Sequence, residues 1–299
     1  MIDFSTLKKL MIPEGSVAKI TDSSGLVLWM LPSDEEIKAV ALRVKKFTSD
    51  TYAGETTYSN ESFILLDIYP KASNSVIKVT YGGLTKTLSF NGTNAQQVFF
   101  GTFNGVTDSV STPDSGTLTI EGDCNAFAIS SFPQSSSSSK GTTNAYCTCI
   151  TGIDDWNEIT NIPDYCCYTC TDLTEVIVSD KVTSMGQASF SDCSGLTKVV
   201  IGNSVTTIGQ LAFSDCPKIT SLTLGSSLAT INTYCFYNSS TGAKRTIVCL
   251  GQTPPTLSGS SPLGRTDEIV SITVPKGCKA AYEAGSGWSQ YKSYIVEAS

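Results

Sequence analysis

A repeat of fixed length between Leu173 and Ser239 constrains this chain more than any other feature of its sequence. Apolar residues recur every 23 residues through three consecutive units. The recurring sets, with one residue from each unit, are Leu173/Leu196/Ile219, Val176/Val199/Leu222, Val178/Ile201/Leu224, Val182/Val205/Leu228, Met185/Ile208/Ile231 and Phe190/Phe213/Phe236. A unit of this length cannot bury its apolar side alone, so successive units stack and share one core. The period therefore predicts a solenoid.

Each unit combines a short strand with a turn. Val199 and Ile201 are two residues apart, so both side chains point to the same side of a strand. Gly209 then turns the chain, and Phe213 packs inward. One further step back along the sequence indicates a degenerate fourth unit, carried by Ile159, Ile162, Cys167 and Cys170.

The run LTKVVIGNSVTTIGQLAFSDCPKI, which begins at Leu196, resembles the BspA-like leucine-rich repeat, also called the Treponema-type repeat. Units of that family read roughly L-x-x-V-x-I-P-x-x-V-x-x-I-G-x-x-A-F-x-x-C, and three consecutive copies cover about a quarter of this chain. The sequence departs from the pattern at Gly202, Met185 and Ser239, which stand near the usual Pro, Ile and Cys. The resemblance implies a repeat solenoid of the kind common on bacterial surface proteins.

The rest of the chain is organised around this array, and the fold class we predict is mainly β. We expect an N-terminal leader over residues 1–33, an Ig-like or β-sandwich-like domain over 34–132, a Ser-rich linker over 133–146 and the solenoid over 147–299. Within the solenoid we expect an N-terminal cap over 147–172, repeats over 173–239 and a C-terminal cap over 240–299. The last segment resembles the closing unit of BspA-like arrays at Val274–Pro275, Tyr282 and Gly287–Trp288.

Short strands with turn signals between them indicate the β-sandwich-like domain. Apolar residues alternate from Ile77 to Tyr81, and Gly82–Gly83 then supplies a two-residue hairpin turn. The first element is ambiguous: residues 40–44 alternate as in a strand, whereas Ser33 with Glu36 fits a helix capping box. An Ig-like module is the leading expectation for this domain.

The leader carries a second resemblance. Phe4, Leu7 and Met11 fit a short amphipathic helix, and the residues after Val17 predict a β-hairpin that turns at Asp22–Gly25 and ends at Pro32. The segment Ile12–Trp29 resembles N-terminal leaders of tail-associated proteins from phages and prophages of gut bacteria. That resemblance implies docking to other virion or tail proteins, and a hairpin without a special role is the equal alternative.

Composition excludes several classes of function. The net charge of −7 disfavours nucleic-acid binding, and the absence of His excludes Ser-His-Asp and Cys-His catalysis. No run of about 18 apolar residues occurs, so we expect no membrane insertion. The pattern of a secretory signal peptide is not visible near Met1. The adjacent Asp154 and Asp155 fit a turn better than a glycosidase pair, and we expect no enzyme activity.

Eleven cysteines raise the question of disulfides or a metal. Cys147-x-Cys149 and Cys167-x-x-Cys170 have spacings compatible with a four-thiolate zinc site. Cys167 and Cys170, however, also occupy core positions of the degenerate repeat. We therefore expect mostly reduced, buried thiols and neither a metal nor a cofactor.

Binding is the remaining class of function, and the repeats offer a surface for it. Positions between the core residues of the repeat strands face outward and form two columns, which contain Glu175, Ile177, Lys198, Val200, Ser221 and Thr223. Such faces are commonly binding surfaces of solenoids, although plain solvated strand residues are the alternative.

Three functions remain open. The first is a phage or prophage tail-associated structural or receptor-binding protein, located in the virion, that recognises the host surface. The alternative is a cell-surface or secreted bacterial adhesin, and a polysaccharide-active enzyme is third. In the first two cases the partner is a bacterial surface glycan or protein, and formation of a homo-oligomer is left open.

Overall fold

The computed structural model describes residues 19–21, 27–30, 39–48, 62–103, 106–129, 131–133, 144–146 and 149–299. The chain divides into two compact units, Met1–Lys38 and Ala39–Ser299. In the first, β1 (Lys19–Thr21) pairs antiparallel with β2 (Val27–Met30). The hairpin predicted in the leader is confirmed, whereas the predicted helix from Phe4 to Met11 lies outside the described residues.

Antiparallel strands fill the first part of the second unit. They are β3 (Ala39–Lys45), β4 (Phe47–Thr48), β5 (Ser62–Pro70), β6 (Val76–Tyr81), β7 (Leu84–Ser89), β8 (Gln96–Phe103), β9 (Val106–Thr107), β10 (Ser115–Gly122), β11 (Cys124–Ile129), β12 (Ser131–Pro133), β13 (Asn144–Tyr146) and β14 (Ile150–Asp155). One sheet has the order β14-β3-β10-β6-β7, and another has the order β11-β5-β8-β9 with β4 also beside β5. Strands β12 and β13 pair with each other.

The two larger sheets contact each other through apolar side chains. The rings of Tyr81 on β6 and Phe100 on β8 meet edge to face, with centroids 5.8 Å apart. The β6–β7 hairpin turns at Gly82–Gly83, where φ is +56° and +82°, and this predicted turn is confirmed. Residues 39–45 form a strand with alternating burial, which favours the strand over the helix for the first element. The Ig-like assignment stays a prediction.

The second part of this unit contains short strands and little helix. The elements are β15 (Asn161–Ile162), β16 (Glu175–Ile177), β17 (Ser184–Met185), β18 (Lys198–Val200), β19 (Thr207–Ile208), β20 (Ser221–Leu224), β21 (Thr230–Ile231), β22 (Arg245–Cys249), β23 (Thr256–Leu257), a 3-10 helix (Thr266–Glu268), β24 (Ile269–Val274), α1 (Lys279–Ala284), a 3-10 helix (Ser289–Tyr294) and β25 (Ile295–Glu297). None of the helices in the described residues has the length and apolar character needed to cross a membrane.

These strands form two parallel sheets, as a solenoid requires. One has the order β15-β17-β19-β21-β23 and the other the order β16-β18-β20-β22-β24-β25. Between them, the rings of Phe190, Phe213 and Phe236 stack almost parallel, with centroids 5.2 Å and 5.1 Å apart. The predicted solenoid is therefore confirmed, and its core includes a continuous aromatic stack.

Hydrogen bonds between residues 23 positions apart fix the register of neighbouring turns. The Thr197 hydroxyl donates to the carbonyl of Thr174 over 3.0 Å, and Thr220 repeats this contact one turn later. The backbone N–H of Asn203 donates to Asp180 Oδ1 over 2.6 Å. These bonds satisfy polar groups at the turns and hold each unit directly over the last.

The antiparallel sheets and the solenoid share one continuous core in residues 39–299. Strand β14, which lies inside the segment predicted as the N-terminal cap, pairs with β3. The buried Trp156 stacks on Phe127 at 5.8 Å and meets Phe190 edge to face at 6.4 Å. The predicted division into domains stays a prediction, and this junction shows where the two parts meet.

The parallel sheets also continue past Ser239, into the predicted C-terminal cap. Strand β22 pairs in register with β20, placing Thr246 beside Ser221 at a spacing of 25 residues. At the far end, Tyr282 donates a hydrogen bond to the Gly251 carbonyl, and Trp288 Nε1 donates one to the Pro255 carbonyl. The longer units after Ser239 therefore continue the parallel sheets, and buried aromatic residues close the end of the solenoid.

The described cysteines are free thiols, and all of them except the partly exposed Cys278 are buried. Burial is the main cause that raises the pKa of Cys124 to about 12, and it does the same for Cys249. A thiol must ionise before it attacks a disulfide reagent. At neutral pH Cys124 and Cys249 therefore lack both access to the reagent and the reactive charge.

We expect the disulfide reagent DTNB, at pH 8, to modify Cys278 readily and to leave the buried described cysteines unmodified until the chain unfolds. Measuring released thionitrobenzoate with and without guanidinium tests this, and Cys278→Ser is the control that removes one equivalent of the fast reaction. Rapid native modification of Cys124 or Cys249 would contradict the burial. Because unfolded thiols ionise near pH 9.0 and these folded ones near 12, their protonation stabilises the fold fully below pH 9 and progressively less above it.

Candidate binding surface

The outward face of the six-stranded parallel sheet contains all six residues predicted from the repeat. Strand pairing aligns Glu175 with Lys198 and Ser221, and it aligns Ile177 with Val200 and Thr223. Alternate positions on these strands, Val176, Val199 and Leu222, are buried in the core. The two predicted columns therefore exist as continuous rows, although a binding role for them stays a prediction.

Further strands extend the rows beyond the predicted residues, two of them for the first row and three for the second. The first row continues through Thr246 and Ser271, and the second through Val248, Thr273 and Val296. The 23-residue period does not reveal these residues because the spacing between units changes after Ser239. The consecutive β-branched residues Thr246, Ile247 and Val248 were the available sequence signal for this strand.

The surface made by these two rows, called here the ladder face, is apolar and hydroxylic with little charge. Three β-branched residues of the second row are exposed, namely Ile177 at 48%, Val248 at 36% and Val296 at 44%. Strand residues of this type usually pack against neighbouring side chains. Glu175 and Lys198 neutralise each other in an ion pair of 3.5 Å. Long-range electrostatic attraction is therefore weak here, and contact would depend on shape and apolar burial.

The buried Trp156 holds one edge of the ladder face in place. Trp156 Nε1 donates a hydrogen bond of 2.7 Å to the carbonyl of Ile177 on β16, the first strand of the sheet. Since Trp156 is also packed against Phe127, this bond ties the position of the sheet to the antiparallel part of the chain. The ladder face is consequently supported by rigid strands and by a buried side chain.

The residues considered for zinc binding lie apart from this face. Cys149 is buried near the Leu65 carbonyl of β5, whereas Cys167 and Cys170 lie in the solenoid core. No group of three or more His, Cys, Asp or Glu side chains able to hold a metal occurs among the described residues. Cys147 lies outside those residues.

The adjacent carboxylates have structural partners. Asp154 pairs with Arg43 at 2.9 Å, and Asp155 Oδ1 accepts a hydrogen bond from the Asn157 amide at 2.7 Å. Both belong to the end of β14 and the turn after it. Asp154 joins the end of β14 to β3, and Asp155 stabilises the turn that follows β14.

Comparison with known proteins agrees with the architecture of the repeats. The model of the family described as "BspA type Leucine rich repeat region" matches residues 121–281 in six copies, more than half of the chain. No curated protein matches. One similar solved structure is a leucine-rich repeat protein of T. pallidum, at 20% identity over 41% of this chain and 70% of that chain. Its TM-score of 0.19 is too low for the likeness to carry a structural argument.

Proposed function

Because this chain belongs to the family of BspA-type leucine-rich repeat proteins, we propose that it is a non-enzymatic binding protein of the adhesin type. It acts at a bacterial surface, and the ladder face makes the contact. The partner is a surface glycan or protein.

The observation that carries this proposal is that one row of the ladder face runs through paired residues on all six strands, β16, β18, β20, β22, β24 and β25. Exposed apolar residues recur along one row, beginning at Ile177 and ending at Val296. A row of this kind gives a partner a long, flat and preorganised contact, which reduces the entropy lost on binding. Catalysis by the familiar nucleophile–histidine pairs is excluded because the chain has no His.

A second candidate function is recognition of a host surface by a phage tail-associated protein. It is favoured by the resemblance of Ile12–Trp29 to tail-protein leaders, within which β1 and β2 form a hairpin. Immunodetection in the organism separates the two candidates. Signal on intact producing cells supports the adhesin, and signal that sediments with phage particles after lysis supports the tail protein.

We expect the fluorescently labelled full chain to bind intact cells of some gut bacteria saturably, and unlabelled chain to compete. Flow cytometry over a panel of strains measures this. Periodate treatment of the cells abolishes binding if the partner is a glycan, and protease treatment abolishes it if the partner is a protein. Absence of saturable binding to every strain would contradict the proposal and favour a structural role.

A further inference from the structure

A cleft of about 430 Å³ lies on the other parallel sheet, away from the ladder face. It forms where the antiparallel part of the chain meets the first two strands of the five-stranded sheet, β15 and β17. The described residues that line it are Tyr69, Asn161, Ile162, Pro163, Asp164, Ser184, Met185 and Gly186. The volume falls within the range of small-molecule sites, roughly 300–1,000 Å³.

The polar side chains of the cleft are held in place by their own hydrogen bonds. Ser184 Oγ donates to Asn161 Oδ1 over 2.5 Å, a contact that does not use the two side-chain N–H donors of Asn161. Asp164 Oδ1 accepts from the backbone N–H of Gln187 over 2.7 Å, which leaves Oδ2 as an acceptor. The cleft is therefore built from oriented groups and does not require a ligand to form.

The apolar part of the cleft has a rigid base. Ile162 and Met185 are buried core residues of neighbouring strands. A Cβ at Gly186 would lie 2.5 Å from Asp164 Oδ1, so only glycine allows the turn after β17 to approach Asp164 this closely. Tyr69, on β5 of the antiparallel sheets, is the aromatic residue of the lining.

Charge restricts the chemistry of the ligand. No Lys or Arg occurs among the described lining residues, and Asp164 is negative. Burial, first, and then the nearby Asp67 carboxylate raise the pKa of Tyr69, which therefore keeps its proton as a donor at neutral pH. An anionic ligand would meet a carboxylate without a compensating cation, which disfavours phosphates, sulfates and acidic sugars.

A neutral polyol satisfies these groups better than an amine does. An ammonium group only donates hydrogen bonds, so it would leave the donors of Asn161 and Tyr69 without an acceptor. Each sugar hydroxyl both donates and accepts, and the C–H face of a sugar ring is apolar enough to lie on an aromatic ring. The combination of aromatic ring, amide, carboxylate and hydroxyl fits a saccharide.

We propose that this cleft is a binding site for a neutral saccharide, the size of one or two sugar rings, held by Tyr69, Asn161 and Asp164. It is a second site, separate from the ladder face. Binding requires the solenoid and the antiparallel sheets together because each contributes part of the lining.

Saturation-transfer NMR on the full chain tests the site. The probes are neutral hexoses, N-acetylhexosamines and their disaccharides, with glucuronate and ethanolamine as charged comparisons. We expect saturation transfer to at least one neutral saccharide and to neither charged probe. Tyr69→Phe and Asn161→Ala should each weaken that binding by about three- to tenfold, since each removes one hydrogen-bonding group.

Matched variants separate this site from the ladder face. Thr230→Ala changes the position equivalent to Ser184 two strands along the same sheet, and it should leave saccharide binding unchanged. Val248→Asp alters the ladder face alone and should also leave it unchanged, so the failure of one proposal is distinguishable from that of the other. The proposed site is contradicted if no neutral saccharide gives a signal or if a charged probe is preferred. It is also contradicted if Tyr69→Phe and Asn161→Ala both bind the saccharide as the wild type does.

Discussion

Replacing Arg245 with alanine is expected to lower the free energy of unfolding by about 3–5 kcal/mol, because it leaves a buried carboxylate without its cation. Arg245 and Glu268 are each 1% exposed and are joined by a bond of 2.5 Å. Arg245 Nη1 also donates to the Phe236 carbonyl, while Glu268 accepts from Asn238 Nδ2 and the Gly242 amide. A loss of this size is a large part of the stability of an ordinary domain.

Urea unfolding followed by tryptophan fluorescence measures the effect, since Trp288 is buried in the same C-terminal part of the chain. The matched control is Arg265→Ala, which removes a neighbouring but exposed ion pair with Asp267. It should leave the unfolding midpoint close to that of the wild type. Equal shifts in the unfolding midpoint for the two variants would mean that the Arg245–Glu268 pair is not buried away from solvent.

Phe213→Ala is expected to destabilise the chain by a similar amount, about 3–5 kcal/mol, through the cavity it leaves. Phe213 is the middle ring of the aromatic stack, between Phe190 and Phe236, and it is 1% exposed. Since both neighbours lie on rigid repeat turns, the cavity collapses only in part. Urea unfolding monitored by circular dichroism gives the change.

Gln210→Ala is the control for this substitution, because Gln210 belongs to the same repeat and its side chain is exposed. Its free energy of unfolding should remain within about 0.5 kcal/mol of the wild-type value. If Phe213→Ala cost less than about 1 kcal/mol, the stacked rings would not be the packed core described here.

The repeat explains why so much of the solenoid could be predicted from sequence. Apolar residues spaced by 23 determine which strand positions face inward, and strand alternation then places Glu175 and Ile177 outward. Strands β22, β24 and β25 were missed as parts of the sheets because their units differ in length. A loop inserted between strands leaves the strand pairing unchanged but removes the fixed period.

Long-range contacts between unlike residues could not be predicted. Arg245 stands at a buried strand position, where a charged side chain is unexpected without a partner. No sequence motif indicates that Glu268 is its partner. The cleft is a further example, since Tyr69 and Asn161 are 92 positions apart and belong to different sheets.

The most direct test of the central claim is a comparison of two exposed valines in the cell-binding assay. Val248→Asp places a charge in the apolar row of the ladder face, whereas Val76→Asp does so on β6 of the antiparallel sheet, where Val76 is 52% exposed. We expect Val248→Asp to reduce the affinity of the full chain for intact bacterial cells about tenfold or more. Val76→Asp should bind as the wild type does. Unchanged binding by Val248→Asp, with Val76→Asp defective, would contradict the ladder face as the binding surface and move the contact to the antiparallel sheets.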